Sequence, residues 1–309
     1  MRVAQVKEFG GIDSLELVEV PDPAPPPGHV VVRVAAAAAG PWDVGFVSGG
    51  FPGVELPFVP GQEVAGIVEV AGDGSDVAPG DRIYASLFPA GGGFAELAVA
   101  SVDRLAPLPE HASFEEAASL VIGAGTAYEA LVDRGSLQTG ETVLISAAAG
   151  GVGSAAVQIA AAVGARPIGV ASQSNHEYVR GLGAVEVFDY HAPDWAQQVL
   201  AAVPGGVDVL FDCAGGETRD QAVGAVRDGG RVVSVIPPFG DLQLERGITS
   251  ESFAASIGRQ RLEALSQLVD DGLLRPQVEA VLSLDQAVEA LQRVATGHAR
   301  GKIVLRISQ

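Results

Sequence analysis

A short apolar strand running into a glycine turn that opens a helix constrains this chain more than any other feature. It is the stretch Thr142-Val-Leu-Ile-Ser-Ala-Ala-Ala-Gly-Gly-Val-Gly153. Val143, Leu144 and Ile145 make the apolar run, and Gly150, Gly151 and Gly153 carry no side chain that would hold a pyrophosphate away from backbone N–H groups. Val152, Ala156, Ile159, Ala160 and Val163 recur at helical spacing, Gly164 suits a helix stop, and Pro167–Ala171 reads as the next strand. A glycine cluster alone also fits a plain turn. Strand, glycines, helix and second strand within about 30 residues match the βαβ unit of a dinucleotide-binding fold.

The alternation continues. Helices are expected near 175–181, 194–202 and 218–227, between strands at 185–188, 207–211 and 231–236, which implies a parallel sheet with helices on both faces. Upstream, Leu15–Val20, Val30–Val34, Val64–Val70, Arg82–Ala85 and Phe94–Val99 read as short strands bounded by glycine or proline. Ser113 and Glu116 form a capping box for a helix that runs to Val132 with a break at Gly123-Ala-Gly125. A helix near Gln260–Asp271 and a second at Leu284–Thr296 precede a last strand, Lys302–Ile307, which is expected to rejoin the N-terminal domain.

Composition narrows the function classes. With 309 residues, 48% of them hydrophobic, the chain can bury a core in each of two domains. A formal charge of −19, with Lys7 and Lys302 the only lysines, repels phosphate backbones and anionic lipid, so neither nucleic acid nor membrane is an expected partner. The single cysteine, Cys213, excludes an internal disulfide framework and a four-cysteine zinc site, and the N-terminus lacks an apolar signal region. A cytoplasmic location is expected.

The order of motifs resembles the zinc-independent, quinone-oxidoreductase (zeta-crystallin-like) group of the medium-chain dehydrogenase/reductase superfamily. The resemblance is carried by Pro60–Gly66, Pro79–Arg82, Gly92–Glu96, Gly125–Ala130, Ala147–Gly153, Phe211–Gly216 and Arg300–Val304, and it covers essentially the whole chain. It implies an α/β fold: a GroES-like β-rich catalytic domain (1–112 and 273–309), a doubly wound Rossmann domain (113–272), and an active site in the cleft. Zinc-dependent relatives place ligands where this chain has Gly40, Gln62 and Ile122, so no metal is expected. Two departures from the quinone-reductase pattern stand out: Gly40 where asparagine is usual, and Gly45 where a tyrosine is frequent.

For the cofactor, the strand at 167–171 ends in Ser172-Gln-Ser-Asn175 with no carboxylate to engage free ribose hydroxyls, the first acid being Glu177. Ser172, Asn175 and Tyr190 can donate to a 2′-phosphate, which favours NADPH; alternatively the serines merely cap the next helix. Gly150, Gly151, Val152, Gly153, Ala214, Ile236, Pro237 and Lys302 complete the cofactor set, with Thr126 placed by the resemblance beside the nicotinamide or acting as an ordinary helix hydroxyl. Trp42, Asp43 and Thr126 are the catalytic candidates. Trp42, Phe46, Phe51 and Phe239 could line an apolar pocket or simply pack, and Asp43 could equally stabilise a turn. Cys213 and the five histidines read as core and surface residues. The expected activity is hydride transfer from NADPH to a small apolar quinone or α,β-unsaturated carbonyl. A biosynthetic enoyl reductase, an alcohol/ketone oxidoreductase, or a non-catalytic nucleotide-binding structural protein are the alternatives. A homodimer is expected, paired through the strand Arg231–Ile236 or the segment Ser252–Ile257.

Overall fold

The computed structural model describes residues 1–308. In chain order, β1 (Arg2–Val6) and β2 (Leu15–Glu19) form an antiparallel pair, followed by β3 (His29–Ala39), α1 (Pro41–Val47), β4 (Glu63–Ala71), β5 (Arg82–Ser86), β6 (Leu97–Ser101) and β7 (Leu105–Pro107). Next come α2 (Phe114–Tyr128), β8 (Thr142–Ile145), α3 (Gly153–Val163), β9 (Arg166–Val170), α4 (His176–Gly181), β10 (Glu186–Phe188) and α5 (Trp195–Ala202). The remainder is β11 (Val207–Asp212), α6 (Gly216–Gly224), β12 (Val226–Ser234), β13 (Thr249–Ser252), α7 (Arg259–Asp270), β14 (Val278–Ser283), α8 (Ala287–Ala295) and β15 (Lys302–Arg306).

Two compact units result. Among the described residues, the first holds 1–122, 257–272 and 276–308; the second holds 123–256 and 273–275. Residues 113–122 and 257–272, assigned from sequence to the Rossmann domain, thus pack within the first unit. The reason for the second segment is visible in α7. Tyr84 of β5 donates its hydroxyl to the Leu262 carbonyl and lies 3.1 Å from Ser266 Oγ, while Arg259 grips Asp76 at 2.6 Å.

In the first unit the eleven-residue β3 organises a seven-stranded sheet, six strands in the order β14-β15-β3-β4-β5-β7 and the seventh, β6, off this path on β3. One edge of β3 pairs with β4 along its length; the other serves β6 at His29–Arg33 and β15 at Ala36–Ala39. The C-terminal strand therefore rejoins the N-terminal sheet, as its sequence implied. β14, which the sequence reading left without a strand, adds in parallel to β15. Val30, Val32, Val34, Val64, Ile83 and Leu105 are buried in its core.

The second unit is a six-stranded parallel sheet of order β10-β9-β8-β11-β12-β13, centred on the strand that feeds the glycine turn. Leu144, Ile168, Leu210 and Val232 line its core with Trp195 and Val199 of α5. The order reverses between β8 and β11, the switch point at which such sheets bind ligands. β12 is an inner strand here, since β13 pairs with it on the far side. The outer side of β13 is followed by the chain's own Gly240–Leu242, bonded at Ser252 and Ser250. The strand Arg231–Ile236 is thereby taken out of the pairing expected for a homodimer, while of the alternative segment, Ser252–Ile257, the loop engages Ser252.

The helix break expected at Gly123 does not occur: α2 continues to Tyr128 and passes into a π-turn over Glu129–Arg134. Gly123 serves close approach instead, since a Cβ there would lie 2.9 Å from the Gly151 carbonyl oxygen. Gly123→Ala tests this. Helix propensity alone would stabilise by about 1 kcal/mol, but displacing the glycine turn should cost roughly 1–3 kcal/mol. A lowered midpoint in urea is expected, and a raised one would show that α2 does not pack this tightly.

Candidate functional site

The candidate residues are divided between the two units. In the parallel-sheet unit, β8 delivers the chain to a turn in which Ala147 takes φ 49° and Gly150 N–H closes on the Ala147 carbonyl at 3.0 Å. A Cβ on Gly153 would lie 2.3 Å from that same carbonyl, so only glycine lets α3 start against the strand end. The Gly150 amide is spent on the Ala147 carbonyl and the Ser154 amide on the Gly150 carbonyl at 2.9 Å, so what the start of this eleven-residue helix offers an anion is the positive end of its dipole and backbone free of side chains. Gly150, Gly151, Val152 and Gly153 stand together at this turn between β8 and α3.

One strand over, Asn175 Nδ2 donates to Ser172 Oγ at 3.1 Å, and Ser174 Oγ lies 3.3 Å from Ser172 Oγ. Neither Ser172 nor Asn175 makes a side-chain cap to the helix it precedes, so the capping alternative for Ser172 does not hold. Tyr190 follows β10, 39% exposed, with its ring 4.1 Å from that of His191. Sequence reasoning missed Asp189 at this corner. Hydrogen bonds from the His191 and Gln173 amides and from the His191 ring hold its carboxyl below the usual range, the first being the largest. His176, expected at the surface, is buried and bonds the Ala171 carbonyl through Nε2 at 3.2 Å.

Thr126 is buried on α2. Ala214 is exposed just beyond β11, and Ile236 is half-buried before the exposed Pro237. Burial, and secondarily the charge of Asp212, pushes the Cys213 thiol well above its usual range, the opposite of an activated nucleophile.

In the β-rich unit, α1 is a helix that the sequence reading took for a turn, and Asp43 is its third residue. Both oxygens of Asp43 are engaged: Oδ2 accepts the Gly40 amide and Oδ1 the Gly61 amide, each at 2.9 Å. The carboxyl ties the start of α1 to the segment before β4. It is wholly buried, and burial lifts its pKa to about 7 against the pull of the two amides and the Lys302 charge, with Glu63 adding to the rise. Lys302 Nζ sits 2.5 Å from Glu63 Oε1 and 4.7 Å from the centre of the Trp42 ring; Glu63 Oε2 accepts the Ile122 amide at 2.7 Å. The structure therefore gathers Trp42, Asp43 and Lys302 in one buried cluster, with Lys302 already paired. Glu63 completes it and was named from sequence only as part of Pro60–Gly66.

The two glycine departures are filled from within the chain. The Trp42 ring lies where a side chain at 40 would be, 2.2 Å from a Cβ built on Gly40, and the Phe51 ring lies 2.8 Å from one on Gly45. Phe51 stacks on Phe46, which also stacks on Phe58, and these rings line a cavity of about 500 Å³ with Pro52, Val54 and Pro89. A second cavity, about 610 Å³, is lined by residues such as Val3, Val20, Leu87 and Leu97; none of Trp42, Asp43 or Lys302 borders either cavity. Phe239, on a loop of the other unit, is 51% exposed.

Comparison with known proteins gives two family matches. Residues 26–110 match the family model described as alcohol dehydrogenase GroES-like domain, and 182–305 match the model described as zinc-binding dehydrogenase. The mouse quinone oxidoreductase is 33% identical over 99% of this chain and 97% of its own length. The chain belongs to the quinone-oxidoreductase group of the medium-chain dehydrogenase/reductase superfamily. Among solved structures, the quinone oxidoreductase from Coxiella burnetii superposes with a TM-score of 0.90 at 30% identity, covering 100% of this chain and 99% of that one. A structure described as an NAD-dependent alcohol dehydrogenase gives 0.91 at 30% identity, covering both chains fully. The protein is thus an oxidoreductase of a family that uses a nicotinamide cofactor. The zinc in the second model's description finds no donor set here: among the described residues no three His, Cys, Asp or Glu side chains come together for a metal. No described helix is long and apolar enough to cross a membrane.

Asp43 generates a pH prediction. Unfolded, its carboxyl titrates near 3.8; folded, near 7. Between these values the folded chain keeps a proton that the unfolded chain has lost, so this group's contribution falls as pH rises from about 4 to 7, by on the order of 4 kcal/mol. It is flat above that. Urea unfolding of wild type and Asp43→Asn at pH 4, 5.5, 7 and 8 should show the wild type losing its relative advantage across that window. A pH-independent difference would mean that Asp43 stays ionised throughout.

Proposed function

We propose that this chain is an NADPH-dependent, zinc-independent reductase that passes hydride to a quinone or another electron-poor α,β-unsaturated carbonyl. The observation that carries the cofactor choice is the corner after β9, where Asn175 Nδ2 donates to Ser172 Oγ and no carboxylate stands among Ser172–Asn175. Gly150–Gly153 would hold the pyrophosphate, and Ser172, Asn175 and Tyr190 would donate to the 2′-phosphate. The Asp189 carboxylate weighs against an added anion there, but it is bonded to His191 and the Gln173 amide rather than left bare. When bound, the cofactor supplies the hydride. The chain's part is binding, orientation and exclusion of water.

The acceptor reading rests on the aromatic wall. Phe46, Phe51 and Phe58 stack on one another along a cavity of about 500 Å³, an aromatic lining that suits a flat apolar molecule better than a sugar or an acid. We assign Asp43 the role of clamp, since both its oxygens already accept backbone amides. The final proton then comes from solvent. The likeness to an alcohol dehydrogenase favours direct carbonyl reduction as the second reading. The position of deuterium delivered from 4-deuterated NADPH separates them: label at the β-carbon of an enone supports conjugate reduction, and label at the carbinol carbon supports the alternative. Failure to oxidise NADPH with any quinone, enone or enoyl thioester of a broad panel would remove both.

Ser172→Asp tests the cofactor half. A carboxylate there would repel the 2′-phosphate and offer an acceptor to free ribose hydroxyls, so NADPH affinity should fall roughly ten- to a hundred-fold. NADH affinity should hold or rise slightly. An unchanged ratio of the two dissociation constants would show that the phosphate is not recognised at this corner.

A further inference from the structure

At the end of β11 stands Asp212, wholly buried. Its Oδ1 accepts three hydrogen bonds: from Ser146 Oγ at 3.1 Å, from the Ala214 amide at 3.1 Å and from the Gly215 amide at 2.9 Å. Its Oδ2 accepts Ser234 Oγ at 2.8 Å. Each hydroxyl passes the hold onward. Ser146 Oγ accepts the Cys213 amide at 2.8 Å, and Ser234 Oγ accepts the Ile236 amide at 3.2 Å. A buried carboxylate costs several kcal/mol unless donors surround it, so four donors and two relays at one residue describe a built hub.

Its place in the sheet gives the hub a function. Ser146 directly follows β8, Asp212 ends β11 and Ser234 ends β12, so one side chain laces together the carboxyl ends of three adjacent strands. The Ser146–Asp212 bond spans the gap between β8 and β11, where strand order reverses and a dinucleotide crosses such a sheet. The glycine turn and the Ser172–Asn175 corner lie on the β8–β9 side. On the other side lie Ala214, Gly215 and Ile236, and every amide the hub fixes belongs to that side. Gly215, at φ 69°, turns back so tightly that a Cβ would meet Ile236 Cγ2 at 2.7 Å.

We propose that Asp212, acting through Ser146 and Ser234, is the positioning residue for the nicotinamide half of the dinucleotide. It shapes the backbone at 213–215 and 236 on which that half rests and leaves the adenosine half untouched. The proposal rests on the nicotinamide-dependent reading but not on the choice between NADPH and NADH.

The test uses the full chain and four ligands: NADPH with its half-ligand adenosine 2′,5′-bisphosphate, and NADH with its half-ligand AMP. Dissociation constants are measured by calorimetry for wild type, Asp212→Asn and Ser146→Ala. Asp212→Asn keeps the shape but removes the charge and turns one acceptor into a donor; Ser146→Ala releases the Cys213 amide and one bond to the hub. In both variants the dinucleotide preferred by wild type should weaken about ten-fold or more, the equivalent of one or two lost hydrogen bonds, while its half-ligand shifts by less than about two-fold. General loosening of the unit would weaken both ligands in parallel, and that result, or no weakening of either, overturns the assignment. Should Asp212→Asn fail to fold, Ser146→Ala and Ser234→Ala carry the same comparison. A wild type that prefers NADH overturns the NADPH choice alone, and one that binds neither dinucleotide overturns the reading on which the proposal depends.

Discussion

Stripping a carboxylate of water is among the most expensive things a fold can do, and this chain does it at Asp43, Glu63 and Asp212, all three without solvent exposure. Each is held by a different set of donors, and each set fixes a different joint. Asp43 takes two backbone amides and so locks α1 to the segment before β4. Glu63 takes an ammonium and an amide, from Lys302 and Ile122. Asp212 takes two hydroxyls and two amides. Removing one partner of a buried ion pair typically costs about 3–5 kcal/mol, whereas replacing both by apolar groups is often neutral, so such groups specify geometry more than they add stability. Here the geometry they specify is that of strand ends and loops, the places from which a reaction is served.

Asp43 and Asp212 are both buried acids, and they are held by different donors. Both are fully buried, yet Asp43 meets two amides and is lifted to about 7, with the Glu63 charge adding to the rise. Asp212 meets four donors at the positive-φ turn of Gly215, where successive amides converge on one oxygen. The first is poised to gain a proton within the physiological range, and the second accepts four hydrogen bonds at its two oxygens.

How much of this could be read from the sequence follows from the range of the interaction. The glycine turn, α3 and the parallel strands were legible because the signal is local: an apolar run, glycines at fixed offsets, a helical stripe. The Ser113–Glu116 capping box was legible for the same reason, and both of its bonds are present. β14 was not, because Val278–Ser283 is a short half-exposed strand that gains its identity only by pairing with β15. Gly123 misled because a helix glycine signals weakness unless one knows what backbone lies against it. The ion pair of Glu63 and Lys302 joins residues 239 positions apart, and no spacing rule reaches that far. His176 and Asp189 were misread or missed for a related reason: burial and long-range donors, not residue type, assign their roles.

The two glycines at 40 and 45 looked from sequence like losses, positions where a polar side chain had gone and nothing had come. Physically they are exchanges. Trp42 folds its ring over Gly40 and Phe51 lays its ring on Gly45, so in each case a neighbouring aromatic occupies the volume that a Cβ would need. An asparagine restored at 40 would collide with Trp42, and a tyrosine restored at 45 would collide with Phe51, so neither polar group can return unless its ring leaves. The consequence is aromatic side chains where the resembled pattern has hydrogen-bonding groups, and Lys302 above Trp42 is held by Glu63 and the π-face together. On the function we propose, such a site would select its acceptor by shape and apolar contact and leave activation to the acceptor's own electron deficiency.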